Sequence, residues 1–213
     1  LGDKKNVMHI PLDCVRDLPT KLRESTKTIT YADVPPDNNY KITAVLNSTG
    51  LIDIELGNTI HHKYGIAIDI GTTSVVAILA DLNTGKTVHI VSEHNSQAQF
   101  GADVISRILF VINNPGTGLA KLQHEIINVI NKMINDLCVA ACIDPQSIYD
   151  MTVVGNTTMQ HLFLGVTPQH LAFSPYICAS KHPITVSAEQ LNINIHHRAN
   201  VYVFPNIAGF IGG

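Results

Sequence analysis

Asp69-Ile70-Gly71-Thr72-Thr73-Ser74 gathers a carboxylate, a glycine and three hydroxyls into one short run. The acid closes one β-type stretch, and a glycine-threonine turn opens the next. Such a turn aims backbone N–H groups and hydroxyls at phosphate oxygens, as an anion-binding nest does. Gly71 permits close approach because it has no side chain. Asp69 suits Mg²⁺ held through water, since that ion gives up its hydration reluctantly. An ordinary β-hairpin with a solvated acid is the plainer alternative. The second run is Val153-Val154-Gly155-Asn156-Thr157-Thr158-Met159-Gln160. There a strand end feeds a helix N-terminus, a natural anion-facing position. Asn156 or Thr157 also suits simple helix capping, and the two roles are compatible.

Other groupings carry less. Gly116-x-Gly118-x-x-Lys121 looks like part of a phosphate loop, but it lacks the full spacing and follows a helix instead of a strand. Asp103 and Arg107, four apart, suit an intrahelical ion pair or a place near a cleft. The doublets His61-His62 and His196-His197 sit in polar, loop-like sequence and read as solvated. Cys138 and Cys142 lie four apart on a predicted helix, where they suit half a metal site or, more simply, two small apolar core residues. No Cys-x-x-Cys pair or ferredoxin-like run occurs, so Cys14, Cys138, Cys142 and Cys178 read as reduced thiols of a cytoplasmic protein.

Positioning these residues falls to a recognisable order of elements. Leu12, Val15, Leu18 and Leu22 have helical spacing, which Pro19 interrupts, predicting a short or broken helix. Val34-Pro35-Pro36-Asp37-Asn38-Asn39 is turn material. Residues 41–46 and 51–56 read as strands joined by the turn Asn47-Ser48-Thr49-Gly50. The polar run 57–63 marks a boundary between a small domain, 1–62, and a larger one, 63–213. Strands at about 65–70, 74–82 and 87–93 predict an antiparallel meander. Two helices follow, at about 102–113 with Val104, Ile105, Ile108, Leu109 and Ile112 on one face, and at about 119–141 with Leu122, Ile126, Val129, Ile130, Met133 and Leu137. A strand at 149–154 leads into a short helix ending near Gly165. Residues 167–182 look irregular, Ser187-x-x-Gln190 suits the cap of a very short helix, and a fifth strand spans 200–204.

Composition narrows the classes. Of 213 residues, 45% are hydrophobic and 15% charged, a balance for a globular core and not for a disordered chain. A net charge of -3 with no Lys/Arg stripe argues against nucleic-acid binding. The most apolar stretch, 64–80, is interrupted by Asp69 and the polar run 71–74, so it reads as a buried hairpin and not a membrane span. The chain begins at Leu1 without a methionine, as a piece of a longer protein would.

The element order resembles the half-domain of the acetate and sugar kinase, heat-shock chaperone and actin superfamily, with Asp69 to Ser74 where that superfamily keeps its first phosphate motif. The turn at Gly155 resembles the one that faces the transfer cleft in glycerol-type kinases. Closer still is the similarity to the reductive activators of corrinoid proteins, ATP-dependent iron–sulfur proteins that return cobalt(II) corrinoids to cobalt(I). It rests on Tyr64-Gly65-Ile66-Ala67-Ile68-Asp69-Ile70-Gly71-Thr72-Thr73, Gly101-Ala102-Asp103-Val104-Ile105-Ser106-Arg107-Ile108, Gly155-Asn156-Thr157-Thr158-Met159-Gln160-His161-Leu162-Phe163-Leu164-Gly165 and Phe204-Pro205-Asn206-Ile207-Ala208-Gly209-Phe210-Ile211-Gly212-Gly213. The N-terminal part, with Leu18-Pro19-x-x-Leu22-Arg23, is more weakly similar to that family's middle domain.

The resemblance implies an α/β fold: an actin-like ATPase (ribonuclease H-like) half-domain with a mixed five-stranded sheet, β-β-β-α-β-α-β, plus a small N-terminal α+β domain. It implies ATP and Mg²⁺ as ligands, with Asp69 orienting the metal and Gly71, Thr72 and Thr73 gripping phosphates. Gly155, Asn156 and Thr157 would line the cleft, Asn156 and Thr157 being the candidates for positioning an attacking water. The implied partner is a corrinoid protein, and the implied activity is an ATPase-type reductive activation. The family's [2Fe–2S] domain and second lobe have no counterpart here, so the chain by itself is expected to be inactive. The N-terminal domain would mediate a homodimer contact or hold the electron-transfer domain. Two rivals stand beside this reading: a small-molecule kinase of the same superfamily, for which the Gly155 turn offers no acidic base, and an ATP-switched binding module without a redox partner.

Overall fold

Residues 10–25, 41–47 and 50–206 are described by a computed structural model. The expected turn at 34–39, residues 48–49 of the hairpin turn and residues 207–213 of the last matching block lie outside the described residues. The chain divides into two compact units between His62 and Lys63.

In the first unit, β1 (Ile42–Leu46) and β2 (Leu51–Leu56) form an antiparallel hairpin. Helix α1 (Leu12–Ser25) packs on β2 and runs through Pro19 without a break, contrary to the broken helix expected. Both halves are anchored to the same strand, which offsets the hydrogen bond that proline cannot make. On one side Cys14 is buried, and its Sγ donates to the Ile52 carbonyl at 3.6 Å. On the other, Lys21 Nζ donates to Asp53 Oδ1 at 3.0 Å and to the Ile54 carbonyl at 2.5 Å. Cys14 is the buried residue of the expected stripe's neighbourhood, whereas Leu12 and Val15 are exposed.

The second unit is built on a six-stranded sheet in the order β5-β4-β3-β6-β8-β7. Strands β3 (Tyr64–Ile70), β4 (Ser74–Asp81) and β5 (Lys86–His94) form the meander. Strand β6 (Ile148–Gly155) lies parallel to β3, and β8 (Asn200–Val203) parallel to β6. The sixth strand, β7 (Ile184–Ser187), pairs antiparallel with β8 at the edge. It corrects the five-strand count. Four residues after a proline are too few to show a period of two, so only pairing with β8 makes them a strand. Ser187 and Gln190 do exchange hydrogen bonds, at 2.9 and 3.4 Å, at the start of a one-turn 3₁₀ helix (Glu189–Leu191) whose N-cap residue is Ala188.

One sheet face is dry. Ile66, Ile68 and Ile70 of β3 alternate with exposed Ala67 and Asp69, and Val75, Ala77 and Leu79 continue that layer across β4. Helix α3 (Gly118–Ala141) covers it with Leu122, Ile126, Ile130, Met133, Ile134 and Leu137, all essentially inaccessible. Each such side chain contributes about 1.5–3 kcal/mol of burial. Helix α2 (Val104–Asn113) turns differently from its expected face: Arg107, Ile108 and Val111 are buried, while Ile105 and Leu109 stay exposed. Helix α4 (Thr157–Leu164) follows β6 directly. Cys138 joins the core, but Cys142 does not. It is the left-handed C-cap of α3 and is exposed, because the helix ends one residue before it.

Candidate functional site

Parallel pairing of β3 with β6 brings the two phosphate-type turns together. Asp69 pairs with Val154 and Ile70 with Gly155, so both strands end at the same level. The approach of the strands is close enough to require glycine at 155, and the first turn folds back on itself tightly enough to require it at 71. A Cβ on Gly155 would lie 2.9 Å from the Ile70 carbonyl oxygen, and one on Gly71 would lie 2.6 Å from that of Ser74. Asp69 and Thr73 are exposed, and Gly71 and Thr72 are half-buried.

Asn156 joins the turns. It is the N-cap of α4, with Oδ1 accepting from the Met159 N–H at 3.0 Å. That bond identifies the oxygen and leaves Nδ2 as donor, which reaches Thr72 Oγ1 at 3.2 Å. Thr72 Oγ1 therefore accepts from Asn156, and its own O–H is left to donate elsewhere. Thr157, at the first helical position, is buried, as are Thr158, Met159 and Gln160. Asn156 thus caps α4 and bonds Thr72 with one amide, whereas the Thr157 side chain sits inside.

The carbonyls of the first turn point inward. Asn95 Nδ2 donates to Gly71 O at 2.8 Å, and the Asn95 N–H donates to Thr73 O at 2.9 Å. Arg107 Nη2 donates to Thr72 O at 2.5 Å. Peptide planarity sets each N–H opposite the preceding carbonyl. With Gly71 O and Thr72 O held by buried groups, the N–H groups of Thr72 and Thr73 face away from the core.

Arg107 is 0% exposed. Besides Thr72 O it donates from Nε to Gly101 O at 2.9 Å and from Nη1 to Gln97 Oε1 and Met159 Sδ, both at 3.2 Å. Burial lowers its pKa to about 10, with the negative charge of Asp103 opposing the shift. It remains a cation at neutral pH. The i, i+4 surface pair with Asp103 does not form. Asp103 instead caps α2, accepting from the Ser106 N–H at 2.7 Å, which holds its carboxyl below the usual range.

The donor set at Asp69 suits Mg²⁺ held by one carboxylate, waters and phosphate oxygens. Among the described residues no group of three or more His, Cys, Asp or Glu gathers to hold a metal by itself. Among the described residues the cysteines gather into no group that would ligate an iron–sulfur cluster. His61 and His62 are exposed, but His196 is buried between Tyr149 and His197, at ring distances of 5.2 and 4.7 Å, and is not solvated as expected. Gly116 and Gly118 form no phosphate loop. Gly118 is buried at the α2–α3 turn, packed against Val111 and Asn114. A cavity of about 480 Å³ lined by Gln146, Glu189, Asn192 and His197 opens near the start of β6, away from the joined turns.

A family model described as the RACo middle region matches residues 64–213, the whole span that holds these turns. The chain belongs to that family. It is 38% identical over 149 residues to the corrinoid activation enzyme RamQ of Eubacterium limosum, covering 70% of this chain and 25% of that protein. The solved structure of a reductive activator for corrinoid, iron–sulfur protein superposes with a TM-score of 0.79 at 34% identity, over 97% of this chain and 31% of that one. The chain therefore spans a quarter to a third of these relatives' length. The fold is the α/β, actin-like ATPase type with a mixed sheet.

Asn95 and Gln97 are neighbours of these turns that the sequence did not single out, while Arg107 stood there with two alternatives, a pair with Asp103 or a place near a cleft. Asn95 and Gln97 lie just past β5, in a stretch without periodicity. Their one sequence signal is amide residues directly after a strand end.

Proposed function

We propose that this chain is the first lobe of an ATP-binding domain that drives reductive activation of a corrinoid protein, cobalt(II) to cobalt(I). The observation that carries the reading is the junction of the two turns: Asn156 donates to Thr72 in the turn that follows exposed Asp69, while the Gly71 and Thr72 carbonyls are held from the core side. Asp69 orients Mg²⁺, while Gly71, Thr72 and Thr73 hold phosphate oxygens through N–H groups and the Thr72 hydroxyl. Gly155 and Asn156 form the adjoining wall and, with the N-terminus of α4, favour negative charge there. Asn156 is also the better placed of the two candidates for orienting an attacking water, because Thr157 is buried.

The single electron that cobalt(II) accepts would have to come from an iron–sulfur donor, a setting that the matched activator's name supports and that the cysteines of this chain do not provide. That transfer is uphill for an ordinary iron–sulfur donor. Nucleotide can assist it only by binding one conformational state better than another, which closure of a second lobe on these turns would provide. The names of the matched relatives support the corrinoid partner. Free thiols at all four cysteines suit a reducing, cytoplasmic setting. No helix among the described residues is long and apolar enough to cross a membrane.

Titration calorimetry tests the nucleotide site. Mg-ATP is titrated into this chain and into a protein of its relatives' length, each with and without Asp69→Asn. The substitution is expected to weaken Mg-ATP by about tenfold or more, equivalent to roughly 1.4 kcal/mol, and Mg-free ATP much less. Equal affinity for Mg-ATP in both forms removes the assignment of Asp69.

A further inference from the structure

Arg107 is an unusual residue to place at the centre of a core. Its side chain is wholly inaccessible, and all four of its hydrogen-bond acceptors are neutral: two carbonyls, an amide oxygen and a thioether sulfur. A buried charge is stabilising only when something compensates its desolvation, and neutral dipoles do so incompletely. Asp103 compensates it only through its field and without a direct ion pair, since its carboxylate caps α2 through Ser106. One acceptor sits in a telling position. Thr72 O belongs to the peptide whose N–H is that of Thr73, on the opposite side of the same planar unit. A guanidinium on that carbonyl polarises the peptide and makes the Thr73 N–H a stronger donor. The same side chain reaches Met159 in α4 and Gln97 after β5, so one cation braces the elements that flank both turns.

We propose that Arg107 is a positioning residue that charges the back of the Gly71–Thr73 turn, so that the front of the turn binds polyphosphate anions. It does not touch the ligand. It acts through the Thr72–Thr73 peptide and through its field in the core, where screening by water is weak. The ligand class is a polyphosphate chain, and the effect grows with the ligand's charge. This inference rests on the reading of the turns as a nucleotide site and adds to it the source of the anion affinity.

The test uses the full chain, without Mg²⁺, with sodium tripolyphosphate and orthophosphate as probes. Binding is followed by calorimetry and by the amide resonances of Thr72 and Thr73. Arg107→Gln removes the charge and Arg107→Lys keeps it, while both lose the guanidinium's forked contacts to Gly101 and Thr72. The Gln variant is expected to raise the tripolyphosphate Kd by about tenfold or more, with a smaller change for orthophosphate. The Lys variant is expected to retain most of the affinity. Equal weakening in Lys and Gln would mean that Arg107 is only a structural brace, and the proposal would be overturned. Full affinity in the Gln variant also overturns it, while leaving the nucleotide reading intact. Should the Gln variant not fold, the wild-type Arg107 Nε–H resonance decides. It is expected to shift with tripolyphosphate along the same curve as the Thr73 amide. A Thr73 amide that responds while Arg107 does not defeats the proposal alone. No response from either turn amide defeats it together with the nucleotide reading.

Discussion

Asn156 makes two bonds with the two ends of one amide, and this separates its roles experimentally. Oδ1 caps α4 and Nδ2 holds the Thr72 hydroxyl. Asn156→Asp keeps a capping oxygen and places a negative charge at a helix N-terminus, so thermal stability is expected to stay within about 0.5 kcal/mol. The same change turns the donor to Thr72 into an acceptor and sets a carboxylate beside the phosphates, and ATP affinity is expected to fall by about tenfold or more. Asn156→Ala should instead lose about 1 kcal/mol of stability through the missing cap. Melting curves and titrations on both variants check the split; unchanged ATP affinity in Asn156→Asp would mean the amide acts only as a cap. Asp69, Gly71 and Thr72 stood out because a short polar run between β-type stretches has few uses, and Asn156 because it links a strand end to a helix start. Arg107 stood out less. A cation four residues after an acid reads as a surface pair or as a residue near a cleft, and nothing local reveals that its helix turns it inward beneath Thr72.

Elements were legible where periodicity ran long. The core stripe of α3 repeats over six turns of helix, and Ile130, at its centre, is fully buried. Ile130→Ala is expected to cost about 2–5 kcal/mol, measured by urea unfolding. Helix α2 is shorter and apolar on most sides, so its pattern did not specify which face turns in. Tertiary contact chose Arg107, Ile108 and Val111 over Ile105 and Leu109. Helix α1 shows the converse error, a correct local rule overridden by anchoring at Cys14 and Lys21. Pro19→Ala restores an N–H opposite Val15 O and is expected to stabilise α1 by about 1–3 kcal/mol. Hydrogen exchange at α1 amides would register this as slower exchange, and unchanged rates would show that the proline costs nothing there.

Across the second unit, His161 couples α4 to the segment before β7. Its Nδ1 lies 2.7 Å from Thr157 O and its Nε2 accepts from the Ala179 N–H at 3.1 Å. A carbonyl needs a donor and an N–H needs an acceptor, so the ring is neutral with its proton on Nδ1. Burial lowers its pKa below the ordinary 6.5, with the Thr157 bond opposing. The sign follows. Between that lowered value and 6.5 the unfolded chain binds the extra proton and the folded chain does not, so stability rises with pH across this window and is lost as pH falls through it. Urea midpoints measured from pH 7 down to pH 5 are expected to decline, with a shallower decline in His161→Gln. Parallel declines would exclude His161 as the group responsible.

What the sequence by itself determined was local: strand and helix order, a glycine-threonine turn after an acid, and a capping asparagine after a strand. Each depends on propensity and spacing within a few residues. The tertiary structure alone decided which distant pieces meet. Parallel pairing of β3 with β6 set Gly71 beside Asn156, and packing of α2 turned Arg107 under Thr72. The physical reason is that pairing register and helix rotation minimise exposed apolar area over the whole sheet, a quantity that no window of neighbouring residues contains.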